Sequence, residues 1–152
     1  AAQSLRQAIQ EIPELAELQD SLLIENTPEG LRIMLVDQQK ISLFKSGATT
    51  LTQKGEHLFA IISAILRELP HNLRITGHTD RSKFGGPNYS NWELSGDRAN
   101  TVRKTLTKFK VDPKRVRRVA GKADRDLLDK KNPSSPRNRR VDILLVRRSD
   151  KS

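Results

Sequence analysis

The chain contains no cysteine, which excludes disulfide bonds and thiolate metal sites among its 152 residues. Aromatic residues are scarce, at 4%, and this scarcity disfavours the stacking platforms on which single-stranded nucleic acids bind. No run reaches the roughly 18 apolar residues that predict a membrane-spanning helix. The hydrophobic content of 35% is low, but it is concentrated in periodic segments, which predicts one folded domain.

An excess of positive charge is the strongest compositional feature. The chain has 28 lysines and arginines against 18 acidic residues, for a net charge of +10. Such a surface favours a polyanionic neighbour, for which nucleic acid, an anionic membrane and cell-wall polymers all qualify. It would equally serve as a solvated face that keeps the protein soluble. The densest basic run comprises Lys114, Arg115, Arg117, Arg118, Lys122 and Arg125.

Hydrophobic periodicity predicts strands that alternate with helices. Helices are predicted over residues 4–22, with a break near Pro13, over residues 52–69, and from Ser90 to about residue 110. Strands are predicted over residues 22–25, 31–36, 73–76, 116–121 and 140–146. This order argues for one sheet covered by helices.

The first predicted helix carries an apolar stripe of its own. Its members are Leu5, Ile9, Ile12, Leu15, Leu18 and Leu22. Such a stripe must be covered, either by the chain's own domain or by a second copy. We expect the segment to promote self-association, with docking on its own domain as the alternative.

The stretch from residue 73 to residue 106 organises the chain. A strand gives way at Gly77, and a helix follows from Ser90, which has the spacing of a capping box with Glu93. Because the end of a strand then lies beside the first turns of a helix, Asp80 and Arg98 can share one pocket. A guanidinium fork for a carboxylate and an aspartate for an ammonium would suit a zwitterionic ligand. A purely structural salt bridge between the two is the alternative.

Two catalytic or metal-binding interpretations of the same stretch are weaker. His78, Asp80 and Asp97 could be imagined as metal ligands, but no His-x-x-x-His spacing or thiolate supports them. Ser90 and Ser95 with His78 lack a glycine-framed nucleophile motif. We therefore expect no enzyme activity, no metal and no cofactor, and we interpret His78 as a hydrogen-bonded structural histidine.

Several spaced motifs resemble the signature of the OmpA-like peptidoglycan-binding domain. They are Gly77-His78-Thr79-Asp80, Asn91, Leu94-Ser95, Arg98-Ala99 and, near the end, Asn138-Arg139-Arg140-Val141. Residues 89–95 and 97–100 are similar to the MotB branch, the stator subunits of the bacterial flagellar motor, as are residues 27–33 and 44–47. Together the matches extend from about Thr27 to Val146.

The resemblance implies a fold and a division of the chain. It implies an α/β (α+β) two-layer sandwich of the OmpA-like type, a mixed sheet covered by helices, with an extra N-terminal helix. We expect a helical appendage over residues 1–22, the binding domain over residues 23–148 and a tail over residues 149–152. The chain would be the periplasmic domain of an inner-membrane protein, a fragment without its membrane helix.

The resemblance also implies a function and partners. The function would be non-covalent binding of the peptidoglycan stem peptide, which anchors the motor stator to the cell wall. The alternatives are a general wall-anchoring protein outside the motor and, with less support, a basic nucleic-acid-binding domain. Expected partners are peptidoglycan, a second copy in a homodimer, and a MotA-type stator partner through the missing membrane segment. We expect no nucleic acid partner, because no helix–turn–helix or zinc pattern accompanies the basic run.

Site residues follow from the same resemblance, one by one. The residue at Asp80 would hold the amino group of a diamino acid in the stem peptide, and the residues at Arg98 and Arg139 its carboxylate. Thr79 and Asn91 would be further ligand contacts, although a threonine and an asparagine at these positions could simply satisfy backbone groups. One departure concerns Phe44: porin-type members continue with Asp and Asn, whereas this chain continues with Lys45-Ser46-Gly47. That side of the pocket must therefore be built differently.

Overall fold

The computed structural model describes residues 2–82 and 88–147 of the chain. Its helices are α1 (Ala2–Gln10), α2 (Gln53–Arg67) and α3 (Asn91–Lys108), with 3-10 segments at Pro13–Ser21, Pro113–Arg115 and Pro136–Asn138. Its strands are β1 (Leu22–Thr27), β2 (Gly30–Val36), β3 (Leu73–His78), β4 (Val116–Gly121) and β5 (Arg140–Val146). The predicted tail beyond residue 147 lies outside the described residues.

The five strands form one mixed sheet in the order β1-β2-β5-β3-β4. Strands β3 and β4 pair in parallel, and the other neighbours are antiparallel. Since side chains alternate along a strand, Ile33, Ile75 and Ile143 lie on one face and join a single core with the apolar stripes of α2 and α3. The predicted α+β sandwich with a mixed sheet is confirmed.

The N-terminal segment has the break predicted near Pro13, but it continues as a different type of helix. Helix α1 ends at Gln10, and the chain continues from Pro13 as a 3-10 helix that buries Leu15, Leu18 and Ser21. Proline cannot extend the α-helical hydrogen-bond ladder, and a 3-10 helix places every third residue on one line, so the chain changes helix type here. The prediction of a resumed α-helix was wrong.

The apolar stripe of this segment is covered by its own domain. Ile9, Leu15 and Leu18 are almost fully buried and belong to the same core as the sheet and the two long helices. These side chains are therefore not available to a second copy in this structure.

Candidate functional site

A cavity of about 300 Å³ lies at the edge of the sheet where β2 and β3 end and β5 begins. The first turns of α3 form its opposite wall. Its lining residues are Asp37, Ser42, Phe44, Ser46, Gly47, Thr79, Asp80, Ser82, Asn91, Leu94, Arg98 and Arg139. The structure thus brings together all five site residues predicted from the sequence. A larger opening of about 560 Å³ beneath the N-terminal segment contains none of them.

Helix α3 is held against the sheet by two glycines of neighbouring strands. A Cβ atom at Gly77 would lie 2.1 Å from the carbonyl oxygen of Ser95, and one at Gly121 would lie 2.3 Å from the backbone nitrogen of Gly96. The hydroxyl of Ser95 accepts a hydrogen bond from the backbone of Ala123 at 3.0 Å. This close backbone approach fixes the distance between α3 and the sheet, and therefore the position of the cavity-lining side chains of α3.

The helix begins as the sequence predicts. The Ser90 hydroxyl accepts a hydrogen bond from the Trp92 backbone at 3.2 Å, and the Ser90 backbone donates to Glu93 at 2.6 Å. The second bond, together with one from the Glu93 backbone to the Ser90 hydroxyl, forms the capping box. Asn91, the first helical residue, donates from Nδ2 to the carbonyl of Ser82 at 3.0 Å, which ties the loop after Asp80 to the helix.

Arg139 lies between two carboxylates. Its Nε donates to Asp37 Oδ2 at 2.8 Å, and its Nη1 donates to Asp80 Oδ2 at 2.8 Å. Asp37 also accepts from the Leu43 backbone at 2.8 Å. Two of the donor positions of Arg139 are therefore already used within the protein, which differs from a fork presented wholly to a ligand.

Sequence reasoning missed Asp37. The residue directly follows the apolar strand β2, and its backbone donates to the carbonyl of Arg139 at 3.0 Å, because β2 and β5 pair antiparallel. A charged residue directly after a predicted apolar strand was the available signal. Only the pairing of two strands about 100 residues apart reveals its partner.

Arg98 keeps most of its donors for the cavity. Its Nε donates to the carbonyl of Ala48 at 2.8 Å, and its guanidinium carbon lies 4.9 Å from the centre of the Phe44 ring. In residues 2–82 and 88–147, no ion pair joins Arg98 to Asp80, and no hydrogen bond links its terminal nitrogens to the protein. The alternative of a structural Arg98–Asp80 salt bridge is therefore not what the structure shows.

The Phe44 side of the cavity is built from backbone and an aromatic ring. On this side of the cavity the Phe44 ring and the Ala48 carbonyl both contact Arg98. Residues 45–47, where the sequence departs from porin-type members, lie between these two contacts in the chain.

Thr79 and Asp80 directly follow β3. Asp80 Oδ1 accepts from the Ser82 backbone at 2.8 Å, so within residues 2–82 and 88–147 each carboxylate oxygen has one protein partner and one remaining acceptor site. The Thr79 backbone donates to Ala123 at 2.9 Å. The Thr79 hydroxyl is buried and has no hydrogen-bond partner within the described part of the chain.

The protonation behaviour of the site follows from its burial. Burial raises the pKa of Asp37, and the hydrogen bonds from Arg139 and Leu43 only partly offset this effect. Burial lowers the pKa of Arg98, against the attraction of Asp37. Burial would also lower the pKa of Arg139, but the bonds to Asp37 and Asp80 outweigh it and raise the pKa overall. Both guanidinium groups remain charged at neutral pH.

A second ionic cluster is buried next to the cavity and consists of His78, Arg140 and Asp142. His78 Nε2 lies 3.2 Å from Asp142 Oδ2, and Arg140 Nε donates to Asp142 Oδ1 at 3.1 Å. Burial alone would raise the pKa of Asp142, but His78, Arg140 and the more distant Arg32 lower it overall. Because His78 and Arg140 face each other across β3 and β5, the cluster fixes the strand ends from which Asp80 and Arg139 project.

Neither a metal-binding group nor a membrane span occurs in the part of the chain that the structure describes. No group of three or more His, Asp or Glu side chains there has a spacing that would hold a metal ion. No described helix is long and apolar enough to cross a membrane.

The arrangement is complementary to a zwitterion. The cavity carries two carboxylates and two guanidinium groups, Asp37, Asp80, Arg98 and Arg139. Their charges sum to zero, but they are not equally available. Among the described residues, Arg98 has unpaired donors and Asp80 has open acceptor sites, and both side chains line the one cavity.

Comparison with known proteins gives a family and relatives. Residues 43–140 match the OmpA family. Over 144 residues the chain is 35% identical to Motility protein B of Escherichia coli K12, an alignment that covers 93% of this chain and 47% of that protein. The chain thus spans about half the length of that relative.

Solved structures share the fold. The periplasmic domain of Helicobacter pylori MotB, residues 90–256, superimposes with a TM-score of 0.73 at 20% identity, covering 88% of this chain and 84% of that one. The cell wall anchor of the Pseudomonas aeruginosa T6SS superimposes with a TM-score of 0.71 at 23% identity, covering 88% and 95% of the two chains.

Proposed function

Because this chain belongs to the OmpA family, in its MotB branch, we propose that it anchors a larger protein to peptidoglycan by binding the stem peptide non-covalently. The observation that carries the proposal is the neutral cavity that Arg98 and Asp80 both line, in which the terminal nitrogens of Arg98 have no partner among the described residues. A diamino acid of the stem peptide carries the matching carboxylate and ammonium on one centre. The binding makes and breaks no covalent bond.

The two arginines have different roles in this proposal. Arg98 binds the ligand carboxylate, since its terminal nitrogens are free of protein partners within the described residues. Asp80 accepts the ligand ammonium at its remaining acceptor sites. Arg139 is a positioning residue, since it holds Asp80 and Asp37 in place. The buried hydroxyl of Thr79 is a further ligand contact. Asn91, which lines the cavity and donates to the carbonyl of Ser82, is another.

The larger protein is proposed to be a flagellar stator subunit. The relative at 35% identity is named Motility protein B, and a structure of the same fold is a periplasmic domain. In this proposal the chain lies in the periplasm, its parent protein spans the inner membrane, and a MotA-type subunit and a second copy complete the stator. The basic surface aids encounter with the anionic wall.

Co-sedimentation with purified peptidoglycan tests the proposal. Arg98→Ala should weaken binding about 10- to 150-fold, because it loses charge-assisted hydrogen bonds of about 1.5–3 kcal/mol. Lys104→Ala is the matched control: it removes one positive charge from the same helix at an exposed position, and it should bind as the wild type does.

Two further measurements keep the test sharp. Asp80→Asn removes the charge that would attract the ammonium while it keeps the shape of the side chain, and it should also weaken binding. Chelator should have no effect. Unchanged binding by folded Arg98→Ala protein, or tight DNA binding at physiological salt with no affinity for the wall, would overturn the proposal.

A further inference from the structure

Most of the positive charge of the chain lies in one stretch of the sequence. Residues 103–125 contain ten lysines and arginines and only two aspartates, which gives this stretch a charge of +8 in a chain whose net charge is +10. The stretch comprises the second half of α3, the 3-10 segment Pro113–Arg115 and strand β4, which lies at an edge of the sheet. The fold therefore gathers the excess charge on one part of the surface.

Four of these cations are exposed at the end of the domain away from the cavity, and we call this surface the basic end. Helix α3 begins at the cavity with Asn91, and its 18 residues place its last turn about 27 Å away. Strand β4 runs parallel to β3, which leads to the cavity, so β4 begins at the far end. The four exposed cations are Lys110, Lys114, Arg117 and Arg118.

The charges of the basic end are largely unused within the protein. In residues 2–82 and 88–147, the side-chain nitrogens of Lys110, Lys114 and Arg118 have no hydrogen bond or ion pair. Lys108, in the last turn of α3, differs from them because it pairs with Glu56. The exposed carboxylate of Asp112 accepts from the backbone of Lys114 at 2.9 Å, so it is engaged in a turn. The basic end thus presents an excess of unpaired positive charge to solvent.

Lys110 occupies a position at which glycine is usual. Its φ is 74°, its backbone donates to Thr107 at 3.0 Å, and the backbone of Val111 donates to Leu106 at 2.9 Å. These two bonds form a Schellman motif at the end of α3, whose left-handed residue is usually glycine because a Cβ atom is strained there. The chain keeps a cation here against the preference of the backbone.

A β-bulge exposes two consecutive arginines. The register of β4 shifts between Val116 and Arg118, so Arg117 is an extra residue in the strand. Neighbouring side chains of a regular strand point to opposite faces, yet both arginines are exposed here. Charge on an edge strand also blocks pairing with another sheet. That protection does not account for Lys110 and Lys114, which lie outside the strand.

The basic end fits a plane of phosphate groups better than a groove of nucleic acid. Its exposed cations lie on a helix terminus, a 3-10 segment and a strand edge, and none of these elements is a helix that could lie in a major groove. Among the described residues it exposes no aromatic side chain on which bases could stack. The headgroups of anionic phospholipids require neither feature, because they attract clustered Lys and Arg through charge alone.

We propose that the basic end binds the anionic phospholipid surface of the inner membrane, while the cavity at the other end of the domain faces the cell wall. Only the choice of phospholipid as the polyanion rests on the proposed function, which places the parent protein in that membrane. Because the basic end exposes no large apolar side chain among the described residues, the contact is peripheral, electrostatic and reversible by salt.

Vesicle flotation tests the proposal on the whole chain. The protein should float with vesicles that contain phosphatidylglycerol and not with vesicles of phosphatidylcholine alone, and raised salt should release it. Arg117→Gln/Arg118→Gln should weaken the binding about 10- to 30-fold, because two charges near the surface are lost. Lys130→Gln/Lys131→Gln is the matched control. It removes two exposed charges from the loop that contacts Arg81 beside the cavity, and it should float as the wild type does.

Lys110→Gly separates a binding role from a structural one. Glycine relieves the strain of the left-handed position, so the variant should unfold at a higher urea concentration than the wild type. It should nevertheless bind phosphatidylglycerol vesicles about fivefold more weakly, because it loses one cation. If Lys110→Gly protein binds the vesicles as tightly as the wild type, the basic end does not act through this residue and the proposal is wrong.

Peptidoglycan and DNA provide the remaining arms of the test. Arg98→Ala should lose peptidoglycan and keep the vesicles, whereas Arg117→Gln/Arg118→Gln should lose the vesicles and co-sediment with peptidoglycan as the wild type does. If the wild type binds peptidoglycan but not the vesicles, the membrane surface is wrong and the proposed function stands. If it binds the vesicles but not peptidoglycan, the proposed function fails and the basic end stands. Binding to duplex DNA at about 150 mM salt without binding to vesicles would overturn the assignment to phospholipid.

Discussion

Replacement of Gly121 or Gly77 by alanine should lift α3 from the sheet. A Cβ atom at Gly121 would lie 2.3 Å from Gly96 N, 2.4 Å from Ser95 Oγ and 2.7 Å from Gly96 Cα. Two of these three neighbours are backbone atoms, so the clash cannot be relieved by turning a flexible side chain. Overpacking of this kind costs about 1–3 kcal/mol of folding free energy, and the helix must move outward to relieve it.

The same displacement should affect the site more than its stability cost suggests. Arg98 lies on α3, whereas its partner Ala48 and the carboxylate of Asp80 lie on other segments. The bond from Arg98 Nε to Ala48 O is 2.8 Å long, and a shift of about 1 Å would take it beyond hydrogen-bonding distance. Folded Gly121→Ala protein should therefore bind peptidoglycan more weakly than the wild type.

Gly96→Ala is the matched control within the same contact region. A Cβ atom at Gly96 would meet nothing within 4 Å, and glycine inside a helix costs about 0.5–1 kcal/mol relative to alanine. Urea denaturation should therefore show a higher midpoint for Gly96→Ala and a lower midpoint for Gly121→Ala and Gly77→Ala. If Gly121→Ala has the same urea midpoint as the wild type, the close approach of helix and sheet leaves room for a Cβ atom and the reasoning is wrong.

Two more predictions concern pH and the N-terminal segment. Burial raises the pKa of Asp37 above its usual value of 3.8. Asp37 therefore contributes favourably to the free energy of unfolding below about pH 3.8, and this contribution is lost as pH rises through the raised pKa. Asp37→Asn should remove this loss. In urea unfolding, the stability of the variant relative to the wild type should therefore be higher at about pH 7 than at about pH 4. An equal difference at both pH values would contradict the prediction. Deletion of residues 1–21 removes the buried Ile9, Leu15 and Leu18 and should lower the free energy of unfolding by several kcal/mol. Sedimentation equilibrium should show the same species with and without the segment, and loss of a dimer on deletion would contradict the docked position.

Local signals in the sequence were sufficient for most of the fold. The strands at Val116–Gly121 and Arg140–Val146 have the predicted bounds, and the capping box at Ser90 forms as its spacing indicated. The meeting of Asp80 and Arg98 at one cavity also followed from a local rule, because a strand that leads into a helix puts its end beside the first helical turns. In each case the determining interactions are close in sequence or repeat with a regular period.

The features that the sequence did not reveal depend on distant pairing or on small energy differences. Asp37 meets Arg139 only because β2 and β5 are neighbours in the sheet, although about 100 residues separate them. The change from α-helix to 3-10 helix after Pro13 depends on how Leu15 and Leu18 reach the core. Both helix types bury an apolar stripe, so periodicity alone did not distinguish them.

The position of Arg139 decides how the cavity can recognise a ligand. If Arg139 were free, the cavity would offer two guanidinium forks and would favour a dianion. Its bonds to Asp37 and Asp80 instead neutralise it and hold Asp80 towards the cavity, so that of the two cavity arginines Arg98 has more open donors among the described residues. Under the proposed function, Asp37 therefore affects ligand selectivity through Arg139, without a contact to the ligand. A burial that raises its pKa is a cost to stability at neutral pH, and such a cost is typical of residues retained for binding.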